Sequence, residues 1–166
     1  NNKDLYIKSK INSEKILTKF SRLGLRLIIL RPSSIYGNGQ NPNKIITKLV
    51  KKSSIKKKIY LYKSHRQVNL IHASDVANFI SLVIKTKKKV KGIFNVGGTL
   101  YTYKDIGKTL KELFNCQIIE DRSIKNIKKN IQKLNISSNK SKLTFNWQSK
   151  IKLKKGLRSI KNNEII

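Results

Sequence analysis

Methionine is absent from this chain of 166 residues, and cysteine, tryptophan, proline and histidine are nearly so: one Cys, one Trp, two Pro and two His. A single cysteine, Cys116, cannot form a disulfide within the chain, which fits a reducing, cytoplasmic setting. Two histidines, His65 and His72, with that one cysteine do not provide the ligand spacings of a zinc site, so no metal is expected. No apolar run reaches the length of a membrane span. The first residues, Asn1-Asn2-Lys3-Asp4, are not a signal peptide. The lack of methionine suggests a piece of a longer protein.

Acidic residues are also scarce, with 8 Asp+Glu against 38 Lys+Arg and a formal net charge of +30. Such basicity has two readings. One is a nucleic-acid or anionic-membrane partner. The other is compositional drift, and the residue counts favour it. There are 32 Lys but only 6 Arg, with 25 Ile and 17 Asn, so Lys, Ile and Asn make up 74 of 166 residues. All three have A/T-rich codons. A phosphate-reading surface would favour Arg, whose planar fork pairs with phosphate through two hydrogen bonds, and would not raise Ile. The lysines are spread over the polar positions rather than gathered between aromatics, which argues against a single-strand-binding surface.

Several periodic segments are present. Lys3 to Phe20 reads as a helix, with Leu5, Ile16, Leu17 and Phe20 as its apolar positions. Leu25 to Leu30 reads as a buried strand ended by Arg31-Pro32, and Ser33 to Pro42 as a loop. A helix is expected over Ile45 to Val50. Short strands are expected over Ile59 to Tyr62 and Gln67 to Ile71. Ser74 is the expected cap of a helix bearing Val76, Phe79, Ile80, Val83 and Ile84. A strand over Gly92 to Val96 precedes the turn Gly97-Gly98, and Thr102 with Asp105 has the spacing of a capping box. A strand over Gln117 to Ile119 and two short helices near Ser141 and Leu153 complete the reading. The stretch Lys125 to Lys133 has the lowest complexity and reads as solvated. Helices alternating with short apolar strands give an α/β class.

Tyr6 and Lys10 are four residues apart on the first helix, hence on one face and one turn apart. A nearby ammonium stabilises a phenolate, whose parent phenol has a reference pKa near ~10. The pair can therefore serve as acid and base near neutral pH. Alone it weighs little, because such pairs are common in a lysine-rich chain.

Its context changes that. Tyr6-Ile7-Lys8-Ser9-Lys10, followed by Glu14, resembles the Tyr-x-x-x-Lys helix of extended short-chain dehydrogenases/reductases, the NAD-dependent epimerase/dehydratase family. Leu30-Arg31-Pro32-Ser33-Ser34-Ile35-Tyr36-Gly37 is similar to that family's Arg-Pro-x-x-Val-Tyr-Gly strand and loop. Leu70-Ile71-His72-Ala73-Ser74-Asp75-Val76-Ala77 resembles its Phe-Ile-His-Val-Asp-Asp-Val-Ala segment. Ile93-Phe94-Asn95-Val96-Gly97-Gly98 resembles its Tyr-Asn-Val-Gly strand end. Ser141-Lys142-Leu143, Trp147 and Gly156-Leu157 echo its C-terminal pattern. These pieces run in order along essentially the whole chain.

The resemblance implies part of a Rossmann-type doubly wound fold plus a small substrate-binding domain. NAD or NADP would be the cofactor, and a nucleotide sugar the substrate. Carried over residue by residue, Tyr6 is the acid/base, and Lys10 lowers its pKa and holds the nicotinamide ribose. The Pro32-Ser33 backbone passes the nicotinamide, and Ser34 stands where many relatives have a substrate-binding Asn. Arg66 and Arg122 are the expected nucleotide contacts, although Val68 occupies the position where relatives often carry the first of these arginines. His72 and Asp75 are assigned structural roles. Asn69 replaces the usual Asp.

The family's Gly-rich turn and the strand bearing its catalytic Ser or Thr do not precede Tyr6. Residues 1–166 therefore read as the C-terminal half of the domain, with an open sheet edge, and as inactive and poorly stable alone. The full-length enzyme is expected to be a homodimer. A reductase of the same family and a basic nucleic-acid-binding module are the alternatives.

Overall fold

In the computed structural model, which describes residues 2–62, 64–120 and 135–163, six helices and seven strands alternate along the chain. The helices are α1 (Asn2–Arg22), α2 (Ile45–Lys56), α3 (Ala73–Lys85), α4 (Tyr103–Phe114), α5 (Asn139–Phe145) and α6 (Leu153–Asn163). The strands are β1 (Ile28–Pro32), β2 (Ser34–Tyr36), β3 (Lys58–Leu61), β4 (Gln67–His72), β5 (Gly92–Val96), β6 (Thr99–Thr102) and β7 (Gln117–Glu120). They form three small sheets: β1 with β5, β2-β4-β6, and β3 with β7. All pairings are parallel except that of β4 with β6. The expected α/β class is thus the observed one, with parallel strands connected through helices.

Two apolar cores meet at β4. Leu70 packs into a cluster with Tyr36, Leu49 and Val50 of α2, Ile106 and Leu110 of α4, and Leu157 of α6. The next residue, Ile71, belongs to a second cluster with Phe79 of α3, Phe94 and Val96 of β5, Phe145 and Trp147. Successive strand residues point to opposite faces, so one strand serves both cores. Aromatic packing fixes the second core: the Phe79 and Trp147 ring centroids are 4.6 Å apart, and Phe79 meets Phe145 edge-on at 5.4 Å.

Three sequence expectations are corrected. The strand expected over Leu25 to Leu30 runs from Ile28 to Pro32. Pro32 is tolerated because its missing N–H lies on the edge away from β5. The loop expected over Ser33 to Pro42 contains β2, paired in parallel with β4. The cap of α3 is His72 rather than Ser74: the His72 ring nitrogen Nδ1 accepts the Ser74 N–H at 3.2 Å, so the helix starts at Ala73. The capping box of α4 forms as its spacing indicates, with Thr102 Oγ1 accepting the Asp105 N–H and Asp105 Oδ2 accepting the Thr102 N–H.

Candidate active site

One stripe of α1 carries Tyr6, Lys10 and Glu14, each one turn from the next. The Lys10 ammonium lies 5.6 Å from the centroid of the Tyr6 ring, within cation–π range. The Tyr6 side chain is 63% exposed. Below this pair, Glu14 is gripped by Arg31 of β1. Arg31 Nε donates to Glu14 Oε1 at 2.9 Å, and a second, parallel bond joins Arg31 Nη2 to Glu14 Oε2. This fork holds the Glu14 carboxyl below its ordinary range, the hydrogen bonds being the main cause.

The ion pair sets the direction of the helix. From Glu14 to Arg22, α1 rises about 12 Å, and from Ile28 to Arg31, β1 spans about 10 Å. A short turn joins these matched lengths, so helix and strand run antiparallel. Residues before Glu14 therefore project past the carboxyl end of β1. Lys10 lies about 6 Å and Tyr6 about 12 Å beyond the clamp along the helix axis. In open parallel sheets the carboxyl ends of the strands are where ligands bind.

The same end of β1 carries Pro32, Ser33 and Ser34. Ser33 is buried, with its N–H donating to the Val96 carbonyl at 3.1 Å. Its hydroxyl oxygen accepts from the Gly98 N–H at 3.3 Å, and Asn69 Oδ1 accepts from the same N–H at 2.9 Å. This turn presses on β4 so closely that a Cβ at Gly98 would fall 1.8 Å from the Leu70 carbonyl oxygen. Ser33 thus braces the turn with its side chain. Ser34 is exposed at the start of β2.

Arg66 lies elsewhere. It lines a cavity of ≈ 230 Å³ together with Tyr60, Tyr62, Tyr103 and Leu49. The Arg66 carbonyl accepts the Tyr103 N–H at 3.1 Å, which ties the start of α4 to the residues leading into β4. No α1 residue lines this cavity. Arg122 lies outside the described residues. The sequence reading singled out Arg66 but none of the three tyrosines. Tyr60 and Tyr62 alternate along one strand and its exit, a signal visible in the sequence, whereas Tyr103 joins them only through the fold.

His72 and Asp75 are engaged in hydrogen bonds of the fold. Because Nδ1 of His72 accepts from Ser74, the proton sits on Nε2, which lies 3.2 Å from Ser159 Oγ. The Ser159 hydroxyl donates in turn to the Gly156 carbonyl. A histidine that donates to the serine cannot also take its proton, so this pair is not a nucleophile and base. Asp75 Oδ2 accepts the backbone N–H groups of Lys150 and Ile151. Among the described residues no cluster of His, Cys, Asp and Glu could hold a metal ion, and no helix is long and apolar enough to cross a membrane.

The sequence model of the NAD-dependent epimerase/dehydratase family matches residues 1–97. No curated protein matches the chain. Solved structures do. RMD from Pseudomonas aeruginosa, complexed with NADPH, is 16% identical with a TM-score of 0.79, over 93% of this chain and 54% of that one. The UDP-N-acetylglucosamine 4-epimerase from Bacillus cereus is 20% identical with a TM-score of 0.79, over 95% and 53%. The dTDP-glucose 4,6-dehydratase from Bacillus anthracis, in complex with NAD, is 22% identical with a TM-score of 0.75, over 95% and 52%. These likenesses show a shared fold, and the chain spans about half the length of the structures it matches.

Proposed function

The chain belongs to the NAD-dependent epimerase/dehydratase family, and on that premise we propose that it supplies the acid–base helix and the nucleotide-sugar cavity of an NAD(P)-dependent epimerase or dehydratase. The observation that supports this reading is the Tyr6–Lys10 pair on the helix stripe whose Glu14 is gripped by Arg31, the residue before Pro32. The residues here fit one end of a dinucleotide: an exposed phenol and ammonium on one helix, and the strand terminus at Pro32 held next to it through the Arg31–Glu14 pair.

When bound, the nicotinamide supplies a hydride acceptor and donor. Everything else falls to this chain. Tyr6 would take the proton of a sugar hydroxyl as general base. The same phenol would return the proton as general acid. Lys10, on the same helix face, would hold the ribose hydroxyls of the dinucleotide. Pro32 and Ser33 position the nicotinamide through their backbone, and Ser34 offers a hydroxyl to the sugar.

Arg66 and the tyrosines of the ≈ 230 Å³ cavity suit a nucleoside diphosphate. Aromatic faces stack on a base, and a guanidinium pairs with phosphate. Arg122 is a second phosphate contact in this reading. The Gly-rich dinucleotide turn is supplied by polypeptide outside residues 1–166, which act as the C-terminal half of the domain. In this reading the full-length enzyme is a cytoplasmic homodimer.

A direct test needs no cofactor. Titration of the chain with UDP, GDP and dTDP by calorimetry should give saturable binding that Arg66→Ala weakens. Binding of none of the three would overturn the nucleotide-sugar assignment.

A further inference from the structure

Residues 37–40 form a turn between β2 and α2. The Gln40 N–H donates to the Gly37 carbonyl at 3.3 Å, Gly39 has φ +74, and Asn38 is not among the residues of positive φ. That is the type II pattern, with Asn38 and Gly39 as the central pair and glycine where a positive φ is required. The N–H between the central residues takes no part in the bond that closes such a turn. Asn38 and Gly39 are both exposed. Neither the Asn38 amide nor the Gly39 N–H has a hydrogen-bond partner among the described residues. A Cβ at Gly39 would meet nothing within 4 Å.

These are the requirements for attack by a backbone nitrogen on the side-chain amide before it. Gly39 N, once it gives its proton to solvent hydroxide, can bond to Asn38 Cγ. Glycine has no Cβ to shield the nitrogen, and its backbone turns freely. Nδ2 takes up a proton from solvent and leaves as ammonia, which closes a succinimide ring. Water then opens the ring. Addition at Cγ breaks the new bond to Gly39 N and leaves aspartate. Addition at the Asn38 carbonyl carbon breaks the original peptide bond and leaves isoaspartate, with the main chain running through Cγ. The net change is one water consumed and one ammonia released, with no redox step. The attacking amide is an anion, so the field of a chain with net charge +30 favours it.

Asn38-Gly39 is the one Asn-Gly pair in the sequence, although the chain holds 17 asparagines. Its loop neighbours lack the free nitrogen. Asn41 precedes Pro42, which has no N–H, and Asn41 Oδ1 accepts the Asn43 N–H at 2.8 Å. Asn43 precedes Lys44, whose N–H donates to the Asn41 carbonyl at 3.0 Å. Asn12, Asn69 and Asn95 lie within α1, β4 and β5, where the backbone must first open locally.

We propose that Asn38 is a site of spontaneous deamidation and that its isoaspartyl form releases the start of α2. The turn is held at both ends. Gly37 lies against α3 so closely that a Cβ there would be 3.2 Å from Ala73 Cβ. Gln40 Nε2 donates to the Ile35 carbonyl at 2.6 Å, and Gln40 Oε1 accepts from Thr47 Oγ1 of α2 at 3.0 Å. Isoaspartate adds a methylene to the main chain between these anchors. The Gly37 end is packed backbone and the other is a single side chain, so Gln40 is the anchor that yields. Ile45 and Leu49 of α2 line the cavity that holds Arg66, so that cavity becomes sensitive to the modification. Deamidation needs no cofactor, substrate or partner and stands apart from the function proposed above.

Ageing the full chain at mildly alkaline pH tests both parts. Peptide mapping, with fragmentation that separates aspartate from isoaspartate, should find Asn38 converted about tenfold or more faster than Asn12, Asn69 or Asn95. Gly39→Ala, which places a Cβ beside the attacking nitrogen, should slow the conversion. Amide exchange reads the release of α2. In the isoaspartyl form the Lys48 and Leu49 amides should exchange about tenfold faster than in the fresh chain. Asn38→Asp brings the charge without the extra methylene and should leave them as they were. Asn38 that stays an amide, that converts no faster than the other three, or that Gly39→Ala does not slow would overturn the site. Unchanged Lys48 and Leu49 exchange in the isoaspartyl form, or equal acceleration in Asn38→Asp, would overturn the release of α2.

Discussion

Arg31 of β1 holds Glu14 of α1 through two parallel hydrogen bonds, and among the described residues no other side-chain hydrogen bond joins that helix to the rest of the protein. Glu14 stands one turn from Lys10 and two from Tyr6, and Arg31 directly precedes Pro32. A single ion pair thus relates the Tyr6–Lys10–Glu14 stripe to the end of β1.

Breaking the clamp should loosen α1 selectively. Glu14→Gln is expected to speed amide exchange and tryptic cleavage in α1 while leaving the Phe79 core protected. The carboxyl sits below its ordinary value of 4.5 because Arg31 bonds the charged form. Its contribution is complete above that value and is lost as pH falls through the lowered one. Protection of α1 in the native chain should therefore collapse on strong acidification, and Glu14→Gln should abolish that step. Added salt should weaken the clamp in the same assay, since both partners are solvent-accessible.

His72 gives a second pH dependence at a different range. Burial lowers its pKa from the ordinary 6.5. The unfolded chain then binds the proton more readily than the folded one, so stability is full above about pH 6.5 and falls as pH drops below it. Protonation would also set an Nδ1 proton against the Ser74 N–H that now caps α3. Thermal melts at pH 7.5 and 5.5 should show a loss on acidification that His72→Gln removes. An unchanged pH profile in that variant would exclude His72 as the source.

Two glycines should separate steric closeness from backbone conformation. Gly98→Ala places a Cβ 1.8 Å from the Leu70 carbonyl oxygen, so the turn must move off β4. The expected cost is about 3 kcal/mol or more, read by denaturant unfolding. Gly39 has φ +74 with open space around it. Gly39→Ala should cost only the left-handed strain of about 1 kcal/mol.

Thr102→Ala tests the local part of the fold. It removes the acceptor for the Asp105 N–H and should cost about 1 kcal/mol. The Asp105 carboxyl, now held below its usual range chiefly by Thr102, should titrate closer to the ordinary value, as followed by carbon-detected NMR.

The site itself yields one chemical prediction and one binding prediction. In the chain assembled with a dinucleotide-binding half, Tyr6→Phe should lower turnover by about two to four powers of ten with little change in KM. Retained turnover would remove the phenol from its assigned role. Arg66→Ala should weaken nucleoside diphosphate binding by roughly tenfold or more, the value of a charge-assisted hydrogen bond.

The contrast between local and distant features explains what could be read early. Tyr6, Lys10 and Glu14 fall on one stripe because a helix repeats every 3.6 residues, and that rule acts within a few residues of chain. The capping box at Thr102 formed for the same reason. Ser74 shows where local reasoning stops: the cap came from His72, a residue selected by the register of β4 against β2 and by Ser159, far along the chain. β2 was hidden in a Ser- and Gly-rich loop because three residues are too few to show an alternation.

Composition, helical period and motif order by themselves determined the α/β class, the family likeness and the shared helix face of Tyr6 and Lys10. Only the tertiary structure decided that Arg31 anchors Glu14, that Tyr103 joins Tyr60, Tyr62 and Arg66 around one cavity, and that Lys140 and Ser141 of α5 bond to the outward carbonyls of β5. Each of these depends on which strands pair and in what register. Pairing is set by packing between segments distant in the chain, and no local period encodes it.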